Sequence, residues 1–317
     1  MSFKQTLSRW KDDNPYLKYL WLQTSYRRQW KTRSAMSDIE CINSLYKGYC
    51  GSLPNLDAPH KFSEKMQWMK LHYRNDLMPV VGDKYTVRKY LEDLGYANLL
   101  NEIIAVYESI DDFDLEKLPN SFVLKASHSS GWNLVVRDKD KLNWCIWEKH
   151  MKYWLTHGIE WNGREWHYGK MKPRIICEKY LEDKSGGLMD YKFFCFNGKP
   201  RFMQLNVDRG LPTATQNYYD LDWNLLPFGK THAHNPNIHP EKPKHFDEML
   251  KVATDLAEPF PFVRMDFYEV NDRMYFGEFT FFPCSGMPDF IPSIWDDKVG
   301  DMLDINGCLT SSNNNKK

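Results

Sequence analysis

A chain of 317 residues can bury a sizeable core in two or three sub-domains. Its 42 Lys and Arg balance 42 Asp and Glu, so the formal net charge is zero and nothing global implies a nucleic acid or other polyanion as partner. No apolar run approaches the roughly 18 residues of a membrane-spanning helix, and the N-terminus lacks a secretory apolar region. Cys41, Cys50, Cys145, Cys177, Cys195, Cys284 and Cys308 form no CxxC pair, which reads as reduced thiols in a cytoplasmic protein.

Residues 1–33 concentrate basic groups (Lys4, Arg9, Lys11, Lys18, Arg27, Arg28, Lys31 and Arg33) among Trp10, Tyr16, Tyr19, Trp21, Tyr26 and Trp30. Asn14-Pro15 is a helix start, with Asn14 as cap. The helix reads either as an interfacial one touching anionic lipid at the inner membrane face or as one docked on the core with a solvated basic face. "KFSEKMQWMKLHYR" spaces Phe62, Met66, Met69 and Tyr73 at helical intervals, with Ser63 near its start. "DKYTVRKYLEDLGY" predicts a second helix ending at Gly95.

From residue 100 the pattern turns to short strands: "EIIAVY", "SFVLKAS", "NLVVRD", "RIICEKYL", "YKFFCFNG", "PRFMQLNV", "PFVRMDFYEV" and "RMYFGEFTFF". Helical patterns interrupt them at 142–157 and 245–258, and Asn197-Gly198 marks a hairpin. Strand pairs with helices between the pairs predict an α+β fold. The last residues, "TSSNNNKK", read as a disordered tail.

Four stretches carry the chemistry. In "FVLKASHSSGWNLVV" a lysine precedes a small-residue loop and a strand follows it, the reverse of a Walker phosphate loop. A hairpin lid would project Lys125 and aim the amides around Ser129, Ser130 and Gly131 at phosphate oxygens; a plain surface hairpin is the other reading. In "RMDFYEVNDRMYFGEFT", Asp266 and Glu278 flank an Asn271-Asp272 turn, and antiparallel strands would bring them face to face. Arg264 shares the strand face of Asp266. Hard carboxylate and hydroxyl oxygens, with Thr280, suit Mg²⁺ bound to a phosphate; a cross-strand salt bridge is the alternative. "RIICEKYLED" ends a buried strand at Glu178 and offers apolar walls and backbone groups to a purine. "DYKFFCFNGKPRF" sets Asp190 and Lys192 on one face.

In order and spacing these stretches resemble the ATP-grasp superfamily, and "KFSEKMQWMKL", "DKYTVRKY" and "LKASHSSGW" resemble its TupA-like branch, named for teichuronopeptide biosynthesis. The resemblance implies an ATP-grasp fold with a helical N-terminal region (1–58) and a helical, α-β ATP-grasp part (59–111). A β-hairpin lid sub-domain (112–181), a C-terminal antiparallel-sheet sub-domain for Mg-ATP and acceptor (182–305) and the tail (306–317) complete it. It implies that Lys84 and Lys125 grip phosphates, that Ser129, Ser130 and Gly131 cover them, and that Glu178 and Leu181 meet the adenine edge. Asp183 would hold the ribose, Lys192 the γ-phosphate and Arg264 the transferred phosphoryl group, with Mg²⁺ on Asp266, Glu278 and Thr280. Thr280 stands where the superfamily usually has asparagine.

The implied cofactors are ATP and Mg²⁺, and the implied reaction is ADP-forming ligation of an amino acid or amine to a uronic-acid carboxylate in surface-polysaccharide biosynthesis. His128 and Arg209 are candidate acceptor contacts, with Asp208 and Asp222 beside the latter. His232, His234, His239 and His245 match no zinc spacing and read as a solvated loop. A sugar kinase or glycan phosphotransferase, a glycosyltransferase and a non-catalytic nucleotide-binding partner are the competing readings. A glycosyltransferase would leave Lys84 and Lys125 idle.

Overall fold

The computed structural model describes residues 14–182, 189–207, 214–229, 234–238 and 240–308. In chain order the elements are α1 (Pro15–Trp21), a π-helical segment (Leu22–Tyr26), α2 (Arg27–Ser34), α3 (Asp38–Cys50), α4 (Phe62–His72), α5 (Leu77–Gly82) and α6 (Thr86–Asp93). Then come β1 (Ile103–Tyr107), β2 (Phe122–Ala126), β3 (Asn133–Val136), α7 (Trp144–Thr156) and β4 (Ile175–Lys179). The last third holds β5 (Met189–Phe196), β6 (Lys199–Val207), β7 (Thr215–Tyr219), α8 (Phe246–Ala257), β8 (Phe262–Val270), β9 (Arg273–Thr280) and α9 (Ile294–Gly300). The fold is α+β, with antiparallel sheets throughout.

The chain divides into two compact units. The first comprises Met1–Cys41, Asp83–Tyr85 and Glu102–Tyr180; the second comprises Ile42–Gly82, Thr86–Asn101 and Leu181–Lys317. In the first unit the strand order is β1-β4-β2-β3. Phe122, Leu124 and Ala126 alternate inward along β2 and join Ile175 and Cys177 of β4 and Met151 and Trp154 of α7 in one core. Asn14 caps α1 as its sequence predicts, its Oδ1 accepting from the amides of Tyr16 (3.0 Å) and Leu17 (3.1 Å). Leu22 and Tyr26 turn onto this core, while Arg27, Arg28 and Lys31 stay exposed with Tyr16, Leu20 and Trp30. Among the described residues no helix is long and apolar enough to cross a membrane.

In the second unit the order is β7-β6-β5-β8-β9. Both predicted two-residue turns form with positive φ at each position, Asn197 and Gly198 at +48° and +76° and Asn271 and Asp272 at +51° and +61°. One face of the sheet is apolar, with Phe193, Met203, Met265 and Phe267, and Phe193 meets Phe246 of α8 at 5.6 Å between ring centroids. The other face is divided. Phe194, Phe196, Phe202 and Phe262 cluster at one end, where Phe62 of α4 lies 5.0 Å from Phe262. Polar side chains take the remainder.

Three elements differ from expectation. The helix predicted from Asp83 begins at Thr86, because the Asp83 carboxylate accepts the Tyr85 amide (2.7 Å) and closes a turn first. Neither β7, which is five residues long, nor α9 is read from the sequence, whereas α3 falls within the expected helical N-terminal region (1–58).

Candidate active site

In the first unit, β2 leads into the loop over residues 127–131 and β3 leads out. The Ala126 amide closes this loop by donating to the Trp132 carbonyl (2.9 Å), and Gly131 supplies the turn with φ +75°. Ser127, His128 and Ser129 are buried while Ser130 and Gly131 are exposed. Ser127 Oγ donates to Asp83 Oδ2 (3.0 Å), and the Lys84 amide donates to the Ser127 carbonyl (3.1 Å). Lys84 Nζ donates to the Ser129 carbonyl at 2.5 Å. The two lysines therefore approach the loop differently, since Lys125 Nζ instead reaches Glu178 Oε2 on β4 (2.6 Å). His128 sits inward, Nε2 on the His157 carbonyl (3.1 Å), and burial holds its pKa below the ordinary imidazole value. Its Nδ1 and Ser129 Oγ are buried without hydrogen-bond partners among the described residues. Leu181, half-buried, follows the point where the chain passes from the first unit to the second.

In the second unit the cross-strand register brings five of the named residues together. Lys192 on β5 stands opposite Asp266 on β8, Asp266 opposite Glu278 on β9, and Arg264 opposite Thr280. The Asp266 carboxylate is 1% exposed and accepts from Arg264 Nε at Oδ1 (2.7 Å) and from Arg264 Nη2 at Oδ2 (2.8 Å). Oδ2 also accepts from Lys192 Nζ, whose charge lies 3.6 Å from Asp190 as well. Burial alone would raise the Asp266 carboxyl; Arg264 and Lys192 outweigh it and hold the group below the ordinary aspartate value. The same contacts raise the already high pKa of Arg264 against its own burial.

Thr280 links the row's end. Its Oγ1 accepts from Arg264 Nη2 (3.0 Å) and donates to Glu278 Oε1 (3.1 Å). Glu278 Oε2 accepts no hydrogen bond among the described residues, and its side chain is 36% exposed. The two carboxylates are thus unequal: Asp266 is neutralised by two cations, while Glu278 shares only Arg264, its Oε1 3.5 Å from Nη2. Hard oxygens of Asp266, Glu278 and Thr280 on one face fit Mg²⁺ in donor chemistry, with a phosphate and water needed to complete the shell. Among the described residues no group of three or more His, Cys, Asp and Glu gathers as a metal cluster.

Sequence reasoning missed the support beyond Thr280. Cys284, Ser285 and Gly286 run consecutively at φ +52°, +53° and +64°. Lys70 Nζ of α4 donates to the Ser285 carbonyl (2.6 Å) and Oγ (3.1 Å), and Gln67 Nε2 donates to the carbonyls of Ser285 (3.1 Å) and Gly286 (2.8 Å). Left-handed backbone at non-glycine residues persists only where its surroundings hold it. The candidate contacts Asp183 and Arg209 lie outside the described residues, as do Asp208, His232 and His239. His234 and His245 are described; His245 bonds Glu248 and the Asp272 carbonyl near the β8–β9 turn.

A family model described as TupA-like ATPgrasp matches residues 64–304. Among solved structures, the chain is similar to D-alanine–D-alanine ligase from Bacillus anthracis complexed with ATP, at 16% identity and a TM-score of 0.43, covering 75% of this chain and 69% of that one. D-alanyl-alanine synthetase A from Vibrio cholerae aligns at 12% identity and a TM-score of 0.44, over 78% of this chain and 72% of that one. Among curated proteins none matches.

Proposed function

The chain belongs to the TupA-like ATP-grasp family, and we propose that it joins an amino acid or other amine to the carboxylate of a uronic-acid sugar in surface-polysaccharide assembly. ATP-grasp ligases are ATP-dependent carboxylate–amine ligases that use ATP and Mg²⁺. The observation that supports a role for this site is the row Lys192, Asp266, Arg264, Thr280 and Glu278 on one sheet face.

In this reading a substrate carboxylate oxygen attacks the terminal phosphorus of ATP, the bond to ADP breaks, and an acyl phosphate forms. The amine nitrogen then attacks the carbonyl carbon, phosphate leaves with the bonding pair, and the nitrogen loses a proton. Such a sequence asks for charge neutralisation and positioning, with no protein nucleophile. Lys192 and Arg264 meet the transferred phosphoryl group. Mg²⁺, held by Asp266, Glu278 and Thr280, supplies further charge neutralisation when bound.

Lys84 and Lys125 take the other phosphates, with Ser129, Ser130 and Gly131 covering them. Glu178 and Leu181 meet the adenine edge, Asp183 the ribose, and His128 and Arg209 the acceptor. Contact of residues 1–33 with anionic lipid at the inner membrane face belongs to the same reading. It requires vesicle co-sedimentation to fall when those residues are removed.

The reaction is tested by product analysis. ADP and free phosphate should form only when both a uronic acid and an amine are present, with an amide of the summed mass less water. Phosphate retained on the sugar would instead identify a kinase. Lys125→Ala and Glu278→Gln should abolish turnover while leaving the fold intact; normal turnover in either would remove that residue from the site.

A further inference from the structure

The polar face that carries Lys192 and Asp266 continues onto β6 and β7, where the side chains in line with Lys192 and Asp190 are uncharged. Gln204 on β6 stands opposite Lys192, and Tyr218 on β7 opposite Gln204. One pair along, Asn206 stands opposite Asp190 and Gln216 opposite Asn206. The side chains are wired to one another. Tyr218 Oη donates to Gln204 Oε1 (2.8 Å), and Gln204 Nε2 donates to Asn206 Oδ1 (2.9 Å). Gln216 Nε2 donates to the same Asn206 oxygen (3.1 Å), and Asn206 Nδ2 makes a long bond to Asp190 Oδ2 (3.5 Å).

Two features set this cluster apart from an internal polar network. Asn206 Oδ1 takes both amide donors, which leaves Gln216 Oε1 shielded from solvent and without a hydrogen-bond partner among the described residues. Buried polar groups are normally satisfied, so an orphan acceptor beside a stretched amide bond points to a missing donor. The cluster also lies in line with the charged row. Adjacent strands are roughly 4.8 Å apart, so β6 and β7 stand about one and two spacings from Lys192. One sugar ring bearing a carboxylate covers that reach.

We propose that Gln204, Asn206 and Gln216 form the hydroxyl-reading subsite for the acid whose carboxylate is activated beside Lys192 and Arg264, and that this acid is therefore polyhydroxylated. The inference rests on the ligase reading for the position of the carboxylate. Carboxamides suit the task, because each offers both a donor and an acceptor and a hydroxyl needs both. A site built to bond hydroxyls rejects an acid that lacks them, since its own amides would be left unpaired.

The test compares D-glucuronate and D-galacturonate with cyclohexanecarboxylate, a ring acid of similar size without hydroxyls. Saturation-transfer NMR on the full chain, without nucleotide, should show ring-proton signals for at least one uronate that weaken in Gln216→Ala and in Asn206→Ala. In turnover, the ratio of kcat/KM for that uronate to kcat/KM for cyclohexanecarboxylate should fall about tenfold in either variant, the loss of roughly one hydrogen bond. Gln216→Asn should recover part of the ratio. Equal binding of uronates and cyclohexanecarboxylate, or an unaltered ratio in both folded variants, overturns the subsite while leaving ligation intact. Failure of the wild type to form ADP with any acid and amine would instead fall on the ligase reading, and the NMR comparison still decides whether the amides read hydroxyls.

Discussion

Asp266 and Glu278 oppose one another because Gly277 is left out of the β8–β9 ladder. From the turn, Val270 pairs with Arg273, Glu269 with Met274, Tyr268 with Tyr275 and Phe267 with Phe276. Continued regularly, Asp266 would meet Gly277 and Glu278 would point to the apolar face. A β-bulge intervenes, and the pairing resumes as Asp266 with Glu278. A Cβ on Gly277 would lie 2.8 Å from Tyr268 Cε2 and 2.9 Å from the Asp266 carbonyl, so the bulge needs glycine.

Gly277→Ala is therefore expected to lower stability by about 1–3 kcal/mol, as overpacking does. It should also displace Glu278 from Asp266 and shrink the rise in melting temperature given by Mg-ATP. Gly48, exposed in α3 with nothing within 4 Å of where a Cβ would stand, is the contrasting case. There alanine should stabilise by about 0.5–1 kcal/mol. Denaturant midpoints for both variants, with and without Mg-ATP, check the pair; a neutral Gly277→Ala would refute the bulge argument.

This bulge also marks how far the sequence could be read. The alternation of β8 and β9 and the Asn271-Asp272 turn were legible, and so were two carboxylates near one another. A regular two-residue hairpin, however, pairs positions eleven apart here, and the twelve-residue spacing brings the acids together only through the extra residue. The partners of Lys192 were half legible, Asp190 through strand parity and Asp266 only through the pairing of β5 with β8. Lys70 and Gln67 carried no signal, because the left-handed turn they hold lies more than 200 positions away in sequence. His128 was legible as a candidate acceptor contact, but not its burial, with Nε2 on the His157 carbonyl.

The buried ion cluster makes a second prediction, for acid. The carboxyl of Asp266 is depressed below its ordinary value of 3.8 by Arg264 and Lys192. The stability it contributes is therefore fully present above that value and is lost as pH falls through the folded pKa beneath it. Lys192→Met removes one of the two cations and should weaken the fold by about 3 kcal/mol at neutral pH, the scale for breaking a buried pair. Asp266→Asn should flatten the dependence of the unfolding midpoint on pH below about 4 relative to wild type. Equal slopes for wild type and Asp266→Asn would show that the cluster does not govern acid unfolding.

Two histidines of the first unit carry the third prediction, in a different pH window. His128 bonds the His157 carbonyl and has Asp83 and Lys84 as its charged neighbours; His150 bonds the Pro15 carbonyl (2.8 Å) near Lys18. Burial lowers both below the ordinary 6.5, and each leaves Nδ1 buried without a partner among the described residues. Below pH 6.5 the unfolded chain then binds more protons than the folded one, so stability falls as pH drops through 6.5 toward the folded pKa values. Above that value the contribution is complete. The midpoint of thermal unfolding should decline between about pH 7.5 and 5, and the decline should be shallower in His128→Gln combined with His150→Gln. Parallel curves for the double variant and the wild type would assign the slope to other groups, whereas a curve flattened by His150→Gln alone would place it on the contact between α1 and α7.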